Sequence, residues 1–405
     1  MGNWFGRSSA TAEPSDSHGK DTTAMSVAKM RLIESLLPDK QRCVTDTYAG
    51  SMCSYGTETI LRCMGTDLIL RLQSAAAPGL HQMVIMRTRW LDELIRDAVK
   101  GGCNQVLILA AGYDTRGFRL KLPPSVRIFE VDQPAVQALK RAKLATIEDL
   151  PSRFINFVPV DFTTQSLEAE LLKSGFDPRA PTVATMEGLT QYIPKSSTEA
   201  TLQVLNKLCS TKGSVLGASY VVQDVQDALG SSWGVNGERF GMLLSRVKAV
   251  GEPWIASWEP SDFERMLRER GGFEAKEETA QMALAKKYLK PLGRMVPAES
   301  KCEVERYVTA VRMEFGLETR RAQIYAENKV MRQHEKKQFA EFKRAKEAEE
   351  AASREASPTK EGAPSSSTGP DVEAPAAVSP SKSAVKPSLA LAALGVMSEG
   401  KGSSG

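Results

Sequence analysis

Short apolar runs alternate with amphipathic segments along the middle of the chain, which is typical of an α/β protein with a parallel sheet. Five runs have the length of buried strands and lie at about 106–110, 127–132, 154–160, 182–186 and 214–222. Helical patterns separate them at about 134–149, 165–174 and 196–211. Two later candidate strands, at about 273–279 and 306–313, would complete a seven-stranded, mostly parallel sheet.

The same pattern divides the chain into regions. Residues 25–316 are predicted to form one domain, in which residues 101–222 are the ligand-binding core. Helical sequence at 25–100 and an insertion at 223–258 would cover the strand ends as a lid, and residues 259–316 would complete the sheet. Open α/β sheets bind ligands at the carboxyl ends of their strands, so the predicted lid lies over the predicted site.

Both ends of the chain differ in composition from this domain. Residues 1–24 are rich in Ser, Thr, Gly and Asp, and residues 351–405 in Ala, Ser, Pro, Lys and Glu, so both are predicted to be disordered tails. Residues 317–350 have a charged helical pattern with little apolar content, which predicts a solvated helical extension. The start of the chain resembles an N-myristoylation signal at Gly2, but Gly6 stands where Ser or Thr is expected, which favours a flexible cytosolic tail.

Composition narrows the classes of protein further. A chain of 405 residues with 41% hydrophobic residues can bury a large core, and it has no apolar stretch of the length that a membrane span requires. The net charge of +4 arises from scattered Lys and Arg, so nucleic acid is not an expected partner. The six cysteines include no C-x-x-C pair and there are three histidines, so we expect no metal, reduced thiols and a cytoplasmic location.

The most informative segment is residues 106–120, VLILAAGYDTRGFRL, followed after about twenty residues by Phe129-Glu130-Val131-Asp132. An apolar strand that breaks into a small-residue turn, with an acid at the end of the next strand, predicts a nucleoside site. The turn has one glycine instead of G-x-G-x-x-G, and Asp114 lies where a pyrophosphate would bind. S-adenosylmethionine has no phosphate and carries positive groups, so it is favoured over a dinucleotide.

Four blocks resemble the leucine carboxyl methyltransferases and their bacterial small-molecule O-methyltransferase relatives, and a fifth resembles the bacterial members. In chain order they are Arg87-Thr88-Arg89-Trp90-Leu91-Asp92, Leu109 to Leu120, Glu130-Val131-Asp132-Gln133-Pro134, Met186-Glu187-Gly188-Leu189-Thr190-Gln191-Tyr192, and Gly251-Glu252-Pro253-Trp254 leading into Asp262-Phe263 and Gly271-Gly272-Phe273. The resemblance spans roughly residues 30 to 315 and implies a Rossmann-like class I methyltransferase fold with a helical lid and S-adenosylmethionine as cofactor.

The resemblance also implies residue roles. Arg87, with Arg89 as the neighbouring candidate, resembles the arginine that pairs with the carboxylate of the cofactor. The cofactor-binding residues it implies are Arg87, the backbone at Ala110 and Gly112, Asp132 at the ribose, Asp161 and Phe162 at the adenine, and Glu187 at the ammonium. Glu187 and Tyr192 are the predicted catalytic residues, and Tyr192 is expected on the substrate side of its loop.

Several of these assignments have open alternatives. Asp132 precedes Pro134 and is also a natural helix-capping residue, Asp161 and Glu187 could be ordinary acids at strand ends, and either arginine could be a solvated charge on an amphipathic helix. Glu130 could point into the packing of its strand. Ala110 departs from the family, which has glycine there; alanine is acceptable if φ is negative and costly if φ is positive.

The chemistry points to an O-methyltransferase. Methyl transfer from a sulfonium is an in-line displacement, and a carboxylate acceptor needs no base, whereas a hydroxyl acceptor does. The predicted substrate is therefore a carboxylate or hydroxyl of a small molecule, or the C-terminal leucine of a protein. The alternative is a catalytically silent scaffold with a methyltransferase fold that binds partners through its tails and charged helix.

Overall fold

Seven strands form one sheet in the order β3-β2-β1-β4-β5-β7-β6. The structure, a computed structural model, describes residues 18–314 except 77–78, 153, 163, 223–240, 242–243, 246–247, 249–252 and 295–303. The strands are β1 (Gln105–Leu109), β2 (Arg127–Asp132), β3 (Ile155–Pro159), β4 (Thr182–Met186), β5 (Val215–Val221), β6 (Phe273–Ala280) and β7 (Glu305–Arg312).

β7 is the strand that runs against its neighbours, pairing antiparallel with both β5 and β6. The pairs among β1 to β5 are parallel, so these strands end at one edge of the sheet. This arrangement confirms the predicted Rossmann-like α/β fold with a seven-stranded, mostly parallel sheet.

The central strands are buried on both faces, which explains why they are continuous apolar runs in the sequence. In β1, Leu107 and Leu109 belong to one hydrophobic cluster, whereas Val106 and Ile108 belong to another on the opposite face. This alternation follows from the two-residue period of a strand. Helices cover both faces and fix the sheet that positions the site.

Helices precede, connect and follow the strands. They are α1 (His18–Leu36), α2 (Ala49–Met52), α3 (Thr57–Met64), α4 (Thr66–Ala76), α5 (Leu80–Lys100), α6 (Arg116–Arg119), α7 (Pro134–Leu144), α8 (Leu167–Lys173), α9 (Lys195–Leu208), α10 (Pro260–Met266) and α11 (Gln281–Leu284). Helical turns of other types, Leu267–Gly271 and Ala285–Leu289, continue α10 and α11 directly.

Two sequence expectations for the N-terminal region need correction. The predicted disordered tail at 1–24 overlaps α1, which begins at His18. Polar composition hides this turn of helix, because a helix nucleated by buried residues such as Ala28 and Ile33 extends at little cost. In addition, α5 is not a lid: its Leu91 and Leu94 pack under Gly217 of β5, so it belongs to the layer that covers the sheet.

Other expectations fall outside the described residues. These are the extension at 317–350, the tail at 351–405, the first part of the N-terminal tail and most of the insertion at 223–258. Among the helices that the structure does describe, none combines the length and the apolar character needed to cross a membrane.

Candidate functional site

The loop after β1 has left-handed backbone at two of its first three residues. Ala110 has φ +52° and Gly112 has φ +44°. A Cβ at Gly112 would lie 3.4 Å from the Cβ of Ala24 on α1, so this glycine fits both the turn and the helix above it. Ala110 thus takes the positive φ that the sequence analysis identified as costly for alanine.

Ala110→Gly is expected to raise the free energy of unfolding by roughly 0.5–1 kcal/mol, because relief of the left-handed strain exceeds the entropy that glycine adds to the unfolded chain. Urea denaturation would measure this change. Lys121 has φ +50° on an exposed loop, so Lys121→Gly is the matched control and should show a similar gain. A less stable Ala110→Gly beside a more stable Lys121→Gly would contradict the expectation.

Asp132, at the end of β2, connects two loops of the predicted site. Its carboxylate accepts a hydrogen bond from the backbone N–H of Gly112 at 2.6 Å and another from the N–H of Gln133 at 2.7 Å. The residue at the N-cap of α7 is Gln133, and it makes no side-chain capping bond. The carboxylate therefore faces the loop after β1 as well as the start of α7, and helix capping alone does not describe it.

Asp161 and Phe162 follow β3 at the same edge of the sheet. The N–H of Val160 donates to the carbonyl of Asp132 at 2.9 Å, which holds this loop beside the end of β2. Phe162 is half-buried and packs on the hydrophobic cluster that contains Val160. Both residues thus lie at the edge where the sequence places the adenine, and their role toward a ligand stays a prediction.

Glu187, directly after β4, is paired with Arg87 of α5. The Nε of Arg87 donates to Oε1 of Glu187 at 3.0 Å, and its Nη1 donates to Oε1 of Glu305 at 2.7 Å. Gly188 has φ +56°, and a Cβ there would lie 3.1 Å from Nη2 of Arg87. Arg87 is thus buried between the loop after β4 and the start of β7, and it does not form a solvated face of its helix.

A second arginine holds the other oxygen of Glu187. Arg116, the first residue of α6, contacts Oε2 of Glu187 at 2.6 Å and Oδ2 of Asp114 at 2.5 Å through Nη1. Its Nε donates to Asp92 of α5 at 2.9 Å. Arg119 also pairs with Asp92. The loop after β1, the loop after β4 and α5 are therefore joined by a buried ionic cluster.

This cluster keeps the acidic groups ionised. Burial acts to raise the pKa of Glu187, but Arg116 and Arg87 outweigh it and hold the pKa below its usual value. Burial also opposes ionisation of Asp114, yet Arg116 lowers the pKa of that carboxyl to about 2. Two anions in this environment are well suited to hold cations and are weak bases.

The structure decides two further alternatives. Arg89 pairs with Glu93 at 2.8 Å on a partly exposed face of α5, whereas Arg87 is the one of the two arginines that contacts Glu187. Glu130 is fully buried and contacts Nζ of Lys140 at 2.5 Å. Burial raises the pKa of Glu130 to about 7 despite this lysine. Glu130 therefore belongs to the packing between β2 and α7.

Tyr192 lies on the loop after β4 and packs edge-on against Trp254, with ring centroids 6.3 Å apart. The backbone N–H of Ile255 donates to the carbonyl of Gln191 at 2.7 Å, so the segment after the insertion runs along this loop. His81 contacts a different part of the protein: its Nε2 lies 3.0 Å from Oε2 of Glu34 on α1. Tyr192 and Trp254 thus form an aromatic pair at the loop that carries Glu187.

The sequence analysis missed Glu305 and the contacts of Arg116. No motif marks Glu305, which meets Arg87 across a separation of 218 residues. Arg116 lies within the block Leu109 to Leu120, and its position two residues after Asp114 was the available signal in the sequence. The predicted residues that the structure brings into direct contact are Arg87 with Glu187 and Gly112 with Asp132.

Comparisons with known proteins show similarity to methyltransferases over part of the chain. Residues 24–206 match the model of the family described as leucine carboxyl methyltransferase. A protein of Mycobacterium tuberculosis (strain H37Rv) is 34% identical over 182 residues, covering 42% of this chain and 52% of that protein. A protein of Mycolicibacterium smegmatis is 35% identical over 200 residues, covering 49% of this chain and 64% of that protein. The names of both describe S-adenosyl-L-methionine-dependent methyltransferases.

The chain spans about half the length of the first curated relatives it matches. A solved structure of a DUF574 family protein from Streptomyces avermitilis has 15% identity and a TM-score of 0.43, covering 61% of this chain and 90% of that chain. The matched residues include most of α1, the helices α2 to α5, the loop after β1, Asp132 and the Arg87–Glu187 pair. Over residues 24–206, this chain is similar to the leucine carboxyl methyltransferase family.

Proposed function

We propose that this protein is an S-adenosylmethionine-dependent O-methyltransferase that acts on a carboxylate or hydroxyl of a small molecule or on the C-terminal leucine of a protein. The observation that carries the proposal is the contact of Arg87 with Glu187 at the carboxyl end of β4. A buried cation and a buried anion side by side match the carboxylate and the ammonium of the amino-acid end of the donor.

The remaining residues at this edge fit the rest of the donor. Asp132 would accept from the ribose, Asp161 and Phe162 would hold the adenine, and the backbone at Ala110 and Gly112 would lie against the ligand. Asp114 and Asp132 place two acids beside the loop after β1, which disfavours a pyrophosphate. When bound, the donor supplies an electrophilic methyl group on a cationic sulfur.

The acceptor that fits best is already an anion. Glu187 and Asp114 are held ionised by arginine and are weak bases, and His81 contacts Glu34 of α1 and not this cluster. A carboxylate needs no deprotonation, and the task of the protein is then to align the acceptor oxygen with the methyl carbon and sulfur. Glu187 and Tyr192 are the proposed catalytic residues, with Tyr192 and Trp254 lining the acceptor side.

Two measurements test this function. Calorimetric titration with S-adenosylhomocysteine should show saturable binding to the full-length protein. Incubation of the protein and cell extract with donor labelled in its methyl group should yield a base-labile methyl ester, in either the small-molecule or the polypeptide fraction. Absence of binding at high micromolar ligand would refute the enzyme and leave the scaffold alternative, and label stable to base would refute carboxyl methylation.

A further inference from the structure

Arg87 is held on the side away from the loop after β4 by a residue of the last strand. Its Nη1 donates to Oε1 of Glu305 at 2.7 Å, and the other oxygen of that carboxylate accepts from the hydroxyl of Tyr307 at 2.9 Å. The side chain of Glu305 is 1% exposed. Glu305 is therefore a buried counter-ion of Arg87 that Tyr307 holds in place.

The direction of β7 explains why Glu305 is there. Because β7 is antiparallel, it begins at the edge where the parallel strands end, and Glu305 pairs in register with Val221 at the end of β5. Although β7 comes last in the sequence of the domain, it thus places a carboxylate next to Arg87. A charge buried to this degree is costly unless it is paired, so its position depends on Arg87 and Tyr307.

Arg116 has the corresponding position behind Glu187. Its side chain is 3% exposed, and it meets Glu187, Asp114 and Asp92 together. Each oxygen of Glu187 therefore has its own guanidinium, Oε1 with Arg87 and Oε2 with Arg116. Without Arg116, Oε2 of Glu187 would lose its partner. Both oxygens of Glu187 would then pair with the guanidinium of Arg87.

We infer that Arg116 and Glu305 are positioning residues, which hold Glu187 and Arg87 in the orientation that receives the ammonium and the carboxylate of the methyl donor. The inference rests on the proposed function, because it concerns the amino-acid end of that donor. Two opposite charges left to each other form a bidentate pair. A counter-ion behind each one, Glu305 or Arg116, limits them to the single contact that they make with each other here.

The test compares two ligands that share the nucleoside. S-adenosylhomocysteine has the amino-acid end, whereas 5′-methylthioadenosine lacks it, and both are titrated calorimetrically against the full-length protein. Glu305→Gln and Arg116→Lys should each weaken binding of S-adenosylhomocysteine by roughly tenfold or more, the effect of losing a hydrogen bond between charged groups. Binding of 5′-methylthioadenosine should change by less than about twofold, since the adenine and ribose contacts remain.

Glu34→Gln is the matched control. Glu34 is also a fully buried carboxylate with an arginine partner, Arg294, but it lies on α1 and contacts no member of the cluster described above. It should leave the ratio of the two affinities unchanged. If Glu305→Gln fails to fold, Tyr307→Phe removes the hydroxyl that orients Glu305 and should shift the same ratio in the same direction.

The outcomes separate the two proposals. An affinity ratio equal to that of the wild type in Glu305→Gln and Arg116→Lys, or an equal loss for both ligands, overturns the positioning role while the proposed function stands. Wild-type protein that binds neither ligand refutes the proposed function itself. A selective loss for the ligand with the amino-acid end supports both.

Discussion

Arg116→Met is expected to lower the free energy of unfolding by about 3–5 kcal/mol, the usual effect of removing one partner from a buried ionic cluster. Arg116 is the residue that compensates Glu187, Asp114 and Asp92 at once, and methionine fills most of its volume without its charge. The three carboxylates would then share less positive charge in a buried environment. Urea denaturation followed by tryptophan fluorescence would measure the difference.

A control arginine at the surface shows whether burial is the reason. Arg265 pairs with Asp262 at 2.7 Å, but its side chain is 61% exposed. Arg265→Met should therefore change the free energy of unfolding by no more than about 0.5 kcal/mol, as is usual for exposed ion pairs. Equal effects at the two positions would mean that the cluster around Arg116 does not depend on its charge.

Glu187→Gln is expected to lower kcat/KM for methyl transfer by roughly a hundredfold, because a neutral amide loses a charged hydrogen bond to the ammonium of the donor. Glutamine has nearly the same shape and can still accept from one arginine, so the effect would come mainly from charge. Steady-state assays with labelled donor, and with the cell-extract fraction that contains the acceptor, would measure kcat/KM.

The matched control for this exchange is Glu278→Gln on β6. Glu278 accepts a hydrogen bond from the hydroxyl of Tyr220 at 3.0 Å and lies outside the proposed machinery, so activity should stay at the wild-type level. Full activity of Glu187→Gln would show that this carboxylate does not contact the donor. A loss of activity in both variants would point to a general effect of the substitution on the protein.

The strands, and the positions of candidate site residues at their ends, could be predicted from sequence because their signals are local. Apolar runs predicted the strands to within a residue or two at most ends, and Asp132 ends such a run whereas Glu187 directly follows one. The parallel register then aligns Leu109 with Val131 and with Met186, so residues after these positions meet at one edge. A local pattern was enough wherever the topology is regular.

What could not be predicted depends on long-range contacts or on backbone angles. Glu305 meets Arg87 because β7 is inserted antiparallel between β5 and β6, and no local pattern encodes that choice. The sign of φ at Ala110 depends on how the loop returns over β2, since the N–H of Ala111 donates to the carbonyl of Val131 at 3.0 Å. The start of α1 was hidden by polar composition.

The insertion of β7 has a consequence for synthesis on the ribosome. Until the residues of β7 emerge, β5 and β6 lack the strand that joins them, and each presents unpaired backbone groups of the kind that favour aggregation. Arg87, made more than two hundred residues earlier, also waits for its carboxylate from Glu305. A nascent chain therefore completes its sheet and its ion cluster in the same late event.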